Sequence, residues 1–165
     1  MTETGVLRPD DERRAVRFER RYATTAEDLW QAVTRPERLR RWLGDTVGDL
    51  RLGGSFSLRL DAEETAECRV LSCQPPERLE LSWAGGDEPE SVLRVEITPG
   101  PDGALLVLDH RRLQLSTATE YGAGWHAYLD SLAAELGGHD QDWQARYERF
   151  LPAYAEQESA LVASA

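Results

Sequence analysis

Near the start of the chain, apolar residues alternate with polar ones and predict a half-buried strand over residues 15–23. Val16, Phe18 and Tyr22 fall on one face of this strand, and charged residues occupy the other face. Residues 1–13 show no comparable alternation, so we interpret them as a polar lead-in.

Two short helices are predicted next, ending at about Leu43. Thr25 is a candidate N-cap, with Asp28 three residues later as an imperfect capping-box partner. Pro36 disfavours helical geometry at Arg35 and can begin the second helix. Helically spaced apolar residues give each helix a buried face: Leu29, Trp30 and Val33 in the first, and Leu39, Trp42 and Leu43 in the second.

From residue 44 to about Arg112, the pattern changes to short strands separated by Gly, Pro and acidic turns. The alternation predicts about six strands, which an antiparallel meander connects most economically. The inward positions are Phe56, Leu58, Leu60, Leu79, Leu81, Trp83, Leu93, Val95, Ile97, Leu106, Leu108 and His110.

An apolar stripe at helical spacing predicts a long helix from about Thr119 to Leu136, which Gly137 and Gly138 terminate. Asp140 can cap a further helix that stops at Pro152, and the last dozen residues are expected to fray. The prediction is an α+β helix-grip fold, in which a curved antiparallel sheet of about seven strands wraps around the long helix. Residues 14–136 form this domain, and residues 137–165 add a helix and a tail.

Composition limits the class of function. A net charge of −11 and a pI near 4.7 argue against nucleic acid as a partner. No apolar run approaches the roughly 20 residues needed to cross a bilayer, so we expect no membrane insertion. The N-terminus does not resemble a secretory signal, which favours the cytoplasm. The chain has no Lys, so chemistry that depends on a lysine Schiff base or a P-loop lysine is excluded.

Four segments together resemble one known family. They are E-R-R-Y-A-T-T-A-E-D-L-W-Q-A-V-T-R-P-E-R-L-R-R-W-L (19–43), L-R-L-G-G-S-F-S-L (50–58), P-P-E-R-L-E-L-S-W (75–83) and G-W-H-A-Y-L-D-S-L (124–132). Their order is similar to that of the activator of heat-shock protein 90 ATPase homologues, within the START-like (SRPBCC) superfamily of polyketide cyclases and lipid-transport proteins. The resemblance covers residues 14–136 and implies the helix-grip fold. It constrains function only loosely, because this fold carries many functions.

The predicted site is a cavity between the sheet and the long helix, suited to a small apolar or amphipathic ligand. Its expected lining is Phe56, Leu58, Leu81, Trp83, Leu93, Val95, Leu106, Leu108, His110, Tyr121, Trp125, Leu129 and Leu132. His110 is the sharpest chemical candidate, either as a ligand contact or acid/base, or as a buried histidine bonded to the backbone or to Tyr121. Arg20 and Arg112 are in phase with the apolar faces, but as strand-end residues they are expected to reach solvent.

Other catalytic or metal-binding patterns are absent from the sequence, so we predict no cofactor and no metal. The leading hypothesis is a non-catalytic START-like domain that binds its ligand in this cavity. The alternatives are a chaperone-interacting protein, which the resemblance implies, and a cyclase or hydrolase that uses His110. The sequence leaves open whether the cavity is open or filled, and whether the protein is a monomer or a homodimer.

Overall fold

A computed structural model describes residues 4–85, 88–137 and 142–165. Its eight strands are β1 (Val6–Asp10), β2 (Arg13–Tyr22), β3 (Asp45–Gly48), β4 (Ser55–Arg59), β5 (Thr65–Gln74), β6 (Arg78–Gly85), β7 (Ser91–Gly100) and β8 (Gly103–Leu113). Its helices are α1 (Ala26–Thr34), α2 (Pro36–Trp42), α3 (Ala118–Gly137) and α4 (Trp143–Ala163).

All eight strands belong to one antiparallel sheet with the order β1-β2-β8-β7-β6-β5-β4-β3. Strands β3 to β8 follow one another as the predicted meander, and β2 pairs with β8. The central register places Phe18 opposite Leu108 and Leu93 opposite His110, so apolar side chains from neighbouring strands meet on one face. The expected fold class is therefore confirmed, with one strand more than predicted.

The additional strand, β1, lies in the segment that we predicted to be a polar lead-in. It pairs antiparallel with β2 at the edge of the sheet, and it buries a single large apolar side chain, Leu7. One inward residue and a proline at position 9 leave too little alternation to distinguish a strand from a loop. The edge position explains why Pro9 is tolerated there.

The two short helices form as predicted. Thr25 caps α1, because its hydroxyl accepts a hydrogen bond from the Asp28 amide at 3.1 Å. Pro36 occupies the first turn of α2, and Arg35 between the helices is extended. Leu29 and Trp42 are buried, so both helices cover one end of the concave sheet.

The C-terminal helix differs from the prediction, because α4 continues through Pro152 to Ala163 rather than stopping there. The predicted cap, Asp140, lies outside the described residues, and Asp142 caps α4 instead. Tyr154 follows the proline, is fully buried, and accepts a hydrogen bond from the Gly5 amide at 2.7 Å. Contacts of this kind beyond Pro152 hold the helix against the body and offset the local cost of a proline. None of the helices in the described ranges is long and apolar enough to cross a membrane.

Candidate ligand-binding site

The space between the sheet and α3 is a nearly filled apolar interior. Ten of the thirteen predicted residues line one small cavity there: Phe56, Leu58, Leu81, Trp83, Leu93, Val95, Leu106, Leu108, Trp125 and Leu129. The cavity has a volume of about 40 Å³. Pockets for small ligands typically enclose roughly 300 Å³ or more, so the interior is not a preformed ligand pocket in this conformation.

Sequence analysis missed six further residues of the lining: Val33, Leu39, Trp42, Leu43, Leu50 and Leu79. Most of them come from α1, α2 and the connection that follows β3. Helical periodicity marked Val33, Leu39, Trp42 and Leu43 as buried, but it could not show that they close the end of the same cavity. We designate this space and its lining the interior.

His110 does not line the interior, because neighbouring side chains enclose it completely. The indole Nε1 of Trp125 donates to its Nδ1 at 2.9 Å, so the imidazole proton must reside on Nε2. Nε2 lies 2.8 Å from the Ser91 hydroxyl, which in turn donates to the Trp83 carbonyl at 3.1 Å. Burial lowers the pKa of His110 to about 3, which keeps the ring neutral. Both ring nitrogens are therefore engaged within the protein.

The other two predicted residues are also outside the lining. Leu132 is fully buried elsewhere in the core. The Tyr121 ring packs edge-on against His110 with centroids 5.0 Å apart, and its hydroxyl donates to Glu88 at 3.2 Å. Burial, followed by the nearby Glu88 carboxylate, raises the pKa of Tyr121. The predicted His110–Tyr121 proximity is present as a ring contact rather than a hydrogen bond.

A second space is an open cleft of about 600 Å³ beside the interior, and we designate it the cleft. Four parts of the chain that are distant in sequence form its walls: the end of α2, the β3–β4 edge, α3 and the start of α4. Its lining is Arg40, Arg41, Trp42, Leu43, Gly44, Asp45, Arg59, Leu60, Asp61, Tyr128, Ser131, Ala134, Glu135, Trp143 and Gln144. Trp42 and Leu43 line both the cleft and the interior.

Aromatic and charged groups share the walls of the cleft. The rings of Tyr128 and Trp143 pack together with centroids 4.9 Å apart. Glu135 accepts hydrogen bonds from Arg38 and Arg41, so its charge is compensated. Within the described ranges, Arg40 and Arg59 form no ion pair, and neither does Asp45.

A buried ionic cluster fastens α4 to the body on another side of α3. Asp130 accepts hydrogen bonds from Arg20 at 2.9 Å and from the Arg146 Nε at 2.8 Å. Arg20 is thus buried, and the expectation that it reaches solvent is wrong, because Asp130 lies within its reach. Next to the cluster, His126 stacks on Phe150 with centroids 3.6 Å apart. Burial, and then the positive charge of Arg20, lower the pKa of His126 to about 4.

In the part of the chain that the structure describes, no three His, Cys, Asp or Glu side chains are close enough together to bind a metal ion.

Together, the curved sheet, the long helix across it and the two short helices at its end define a helix-grip domain of the START-like class.

Comparison with known proteins agrees with this class. The chain belongs to the "Activator of Hsp90 ATPase homolog 1-like protein" family, whose model matches residues 23–137. This match ends with α3, so α4 lies beyond the part that the family model covers. Comparison with the curated proteins gave no significant match.

Several solved structures are similar to this chain. The crystal structure of CalU16 from Micromonospora echinospora is 30% identical, covers 95% of this chain and 98% of its own, and has a TM-score of 0.81. DynU16, a protein of the dynemicin biosynthetic locus, is 26% identical over 78% of this chain and 48% of its own, with a TM-score of 0.71. A protein encoded by BPP1335 from Bordetella parapertussis is 27% identical over 93% of this chain and 90% of its own, with a TM-score of 0.73.

Proposed function

We propose that this protein is a non-catalytic binding domain for a small amphipathic molecule, and that the ligand occupies the cleft. The observation that carries the proposal is the contrast in size between the two spaces. The cleft encloses about 600 Å³, within the usual range for ligand pockets of roughly 300–1,000 Å³, whereas the interior encloses about 40 Å³. The proposal therefore retains the ligand class predicted from the sequence, but it assigns the binding site to the cleft rather than to the interior.

The chemistry of the cleft suits an amphipathic molecule. Tyr128 and Trp143 offer aromatic surface for the apolar part, and charged side chains at the rim offer partners for a polar group. The similarity to DynU16 supports a small-molecule context, because that protein comes from the dynemicin biosynthetic locus. The START-like class also supports ligand binding, since its superfamily includes lipid-transport proteins.

The arrangement of His110 supports a non-catalytic role. A general acid or base must reach the proton that it transfers, and here both imidazole nitrogens contact Trp125 and Ser91 inside the core. Burial also keeps the pKa of His110 far below neutrality. The enzyme alternative would therefore require the core around His110 to rearrange.

A fluorescence titration with anilinonaphthalene sulfonate tests the proposal, because this amphipathic dye brightens when it leaves water. Ser131 lines the cleft, and its hydroxyl donates to the Ala127 carbonyl in the same helix. A Ser131→Trp variant should place an indole in the cleft and weaken dye binding about tenfold, a loss of roughly 1.4 kcal/mol. The matched control is Gln31→Trp at an exposed position of α1. Equal dye affinity in both variants and the wild type would reject the cleft as the binding site.

A chaperone-interacting role is the second candidate, and the family match is the observation that favours it. Its test is a pull-down with heat-shock protein 90 together with an ATPase assay. Stimulation of the chaperone ATPase that survives Ser131→Trp would favour this role over ligand binding. Absence of both binding and stimulation would remove it.

A further inference from the structure

The strand β1 lies at one end of the open sheet and pairs with β2 on its inner side. Backbone groups of an antiparallel strand point alternately to its two sides. Those of Gly5, Leu7 and Pro9 point away from β2, and we designate them the β1 edge. An edge of this kind can pair with a strand of another chain unless something covers it.

The C-terminal half of α4 covers the β1 edge group by group. The Gly5 amide donates to the Tyr154 hydroxyl at 2.7 Å, and the Leu7 amide donates to the Gln157 Oε1 at 2.8 Å. The Gln157 Nε2 donates in turn to the Gly5 carbonyl at 2.9 Å. Pro9 carries no amide hydrogen. All the amide hydrogens of the β1 edge are therefore already used by α4.

The Gln157 side chain takes the place that a peptide group of a further strand would occupy. A peptide group offers one carbonyl and one N–H, and the carboxamide presents the same two groups to Leu7 and Gly5. The next residue of α4, Glu158, accepts hydrogen bonds from the Arg14 Nε on β2 at 2.8 and 3.0 Å, which holds this turn of the helix in place. Because α4 uses the same donors and acceptors as an added strand, the two compete directly.

The β1 edge is complementary to the same edge of a second copy of the chain. If two copies of β1 paired antiparallel about a two-fold axis at Leu7, the two Leu7 residues would exchange both backbone hydrogen bonds. The Gly5 amide of one copy would lie opposite the Pro9 carbonyl of the other, so the proline removes only one bond of that pair. Val6 would lie opposite Arg8, which keeps like charges apart next to the axis.

We propose that α4 is an autoinhibitory element, which occupies the β1 edge and thereby prevents a second copy of this chain from pairing there. While α4 is attached, the protein is a monomer. When the C-terminal half of α4 detaches, two copies join through β1 into a dimer with one continuous sheet. The inference is independent of the proposed function, because Gly5, Tyr154 and Gln157 are not part of the cleft lining.

Amide hydrogen exchange measured by NMR tests the cover of the β1 edge. Gln157→Ala removes the acceptor of the Leu7 amide, so this amide should exchange about tenfold faster than in the wild type. Gln157→Glu retains an acceptor oxygen and should preserve most of the protection. Ser159→Ala, at an exposed position of the same helix, is the matched control and should change the rate less than about twofold. Equal Leu7 exchange rates in Gln157→Ala and Ser159→Ala would overturn the proposal.

Sedimentation velocity tests whether a second copy takes the place of α4. The triple variant Tyr154→Ala/Gln157→Ala/Glu158→Ala removes the side chains that attach the C-terminal half of α4 to Gly5, Leu7 and Arg14. It should sediment as a dimer at concentrations at which the wild type and Ser159→Ala are monomers. If the triple variant does not fold, the double variant Gln157→Ala/Glu158→Ala, which retains the buried Tyr154, is measured in the same way.

Hydrogen exchange in the dimer identifies the paired edge. The Leu7 amide should become protected again as the concentration of the variant rises, and the amide of Val47 on β3, at the opposite end of the sheet, should not change. A variant that stays monomeric although its Leu7 amide exchanges freely would show that the edge does not pair with a second copy. A dimer that leaves the Leu7 amide unprotected would equally overturn the inference.

Discussion

The burial of His110 allows a quantitative prediction of how the free energy of unfolding depends on pH. Its pKa falls from 6.5 to about 3 on folding, because burial disfavours the charged imidazolium. Between these values the unfolded chain takes up the proton and the folded protein does not, so stability is lost as the pH falls below 6.5. The loss is about 1.4 kcal/mol per pH unit, which makes it about 2 kcal/mol between pH 7.5 and pH 5.

A variant isolates this contribution from other titrating groups. Glutamine at position 110 carries one acceptor group and one donor group, as the neutral imidazole does, although its NH2 has a second hydrogen to satisfy, and it does not titrate. His110→Gln should cost about 1–2 kcal/mol at pH 7.5, because the hydrogen bonds to Trp125 and Ser91 are imperfectly replaced. At pH 5 the wild type loses the additional 2 kcal/mol or so and the variant does not, so the stability difference should disappear or reverse.

Urea unfolding at both pH values measures the difference, and nitrogen NMR of the imidazole checks the tautomer directly. The expected spectrum is that of a neutral ring with its proton on Nε2 throughout this pH range. A stability difference between wild type and His110→Gln that is the same at pH 7.5 and pH 5 would refute the reasoning, as would a His110 that titrates near 6.5.

Two further predictions concern the attachment of α4 to the body. A Cβ at Gly122 would lie 2.6 Å from the Tyr154 ring, so Gly122→Ala should destabilise the protein by about 1–3 kcal/mol. Gly124→Ala in the same helix meets nothing closer than 3.9 Å and should be neutral or stabilising, and comparable losses for both in thermal unfolding would contradict the packing. Asp130→Asn removes the carboxylate that the buried Arg20 and the half-buried Arg146 share, and it should cost about 3 kcal/mol in urea unfolding. Asp49→Asn breaks only an exposed pair and should change the unfolding midpoint little; an equally small effect at Asp130 would show that the cluster is not stabilising.

The fold was largely predictable because its main elements carry strong local patterns. Alternation predicted β4 and the strands that follow it, and helical spacing predicted α1 to α3. The two errors, β1 and the continuation of α4 past Pro152, concern segments that depend on distant partners. Leu7 packs only because β2 is beside it, and Tyr154 is held by Gly5 from the other end of the chain. The hydrophobic pattern within a segment does not indicate contacts with residues that are distant in the sequence.

The candidate site was predictable only in part, for the same reason. Ten residues of the apolar lining of the interior were predicted, eight from strand alternation and two, Trp125 and Leu129, from helical spacing. The lining also includes Trp42, Leu43 and Leu50, and periodicity does not show how closely such side chains pack together. Ser91 gave no signal as a partner of His110, because a serine at the start of a strand resembles a turn residue. The cleft combines polar residues from four distant segments and has no periodic signature.

Native mass spectrometry of protein purified from its own host tests ligand binding in the cleft most directly. We expect the wild type and the Gln31→Trp control to retain a bound small molecule of defined mass. Ser131→Trp, which places an indole in the cleft, should be recovered without that molecule. A bound molecule that persists in Ser131→Trp, or a wild type that carries none, would contradict the assignment of the cleft as the ligand site.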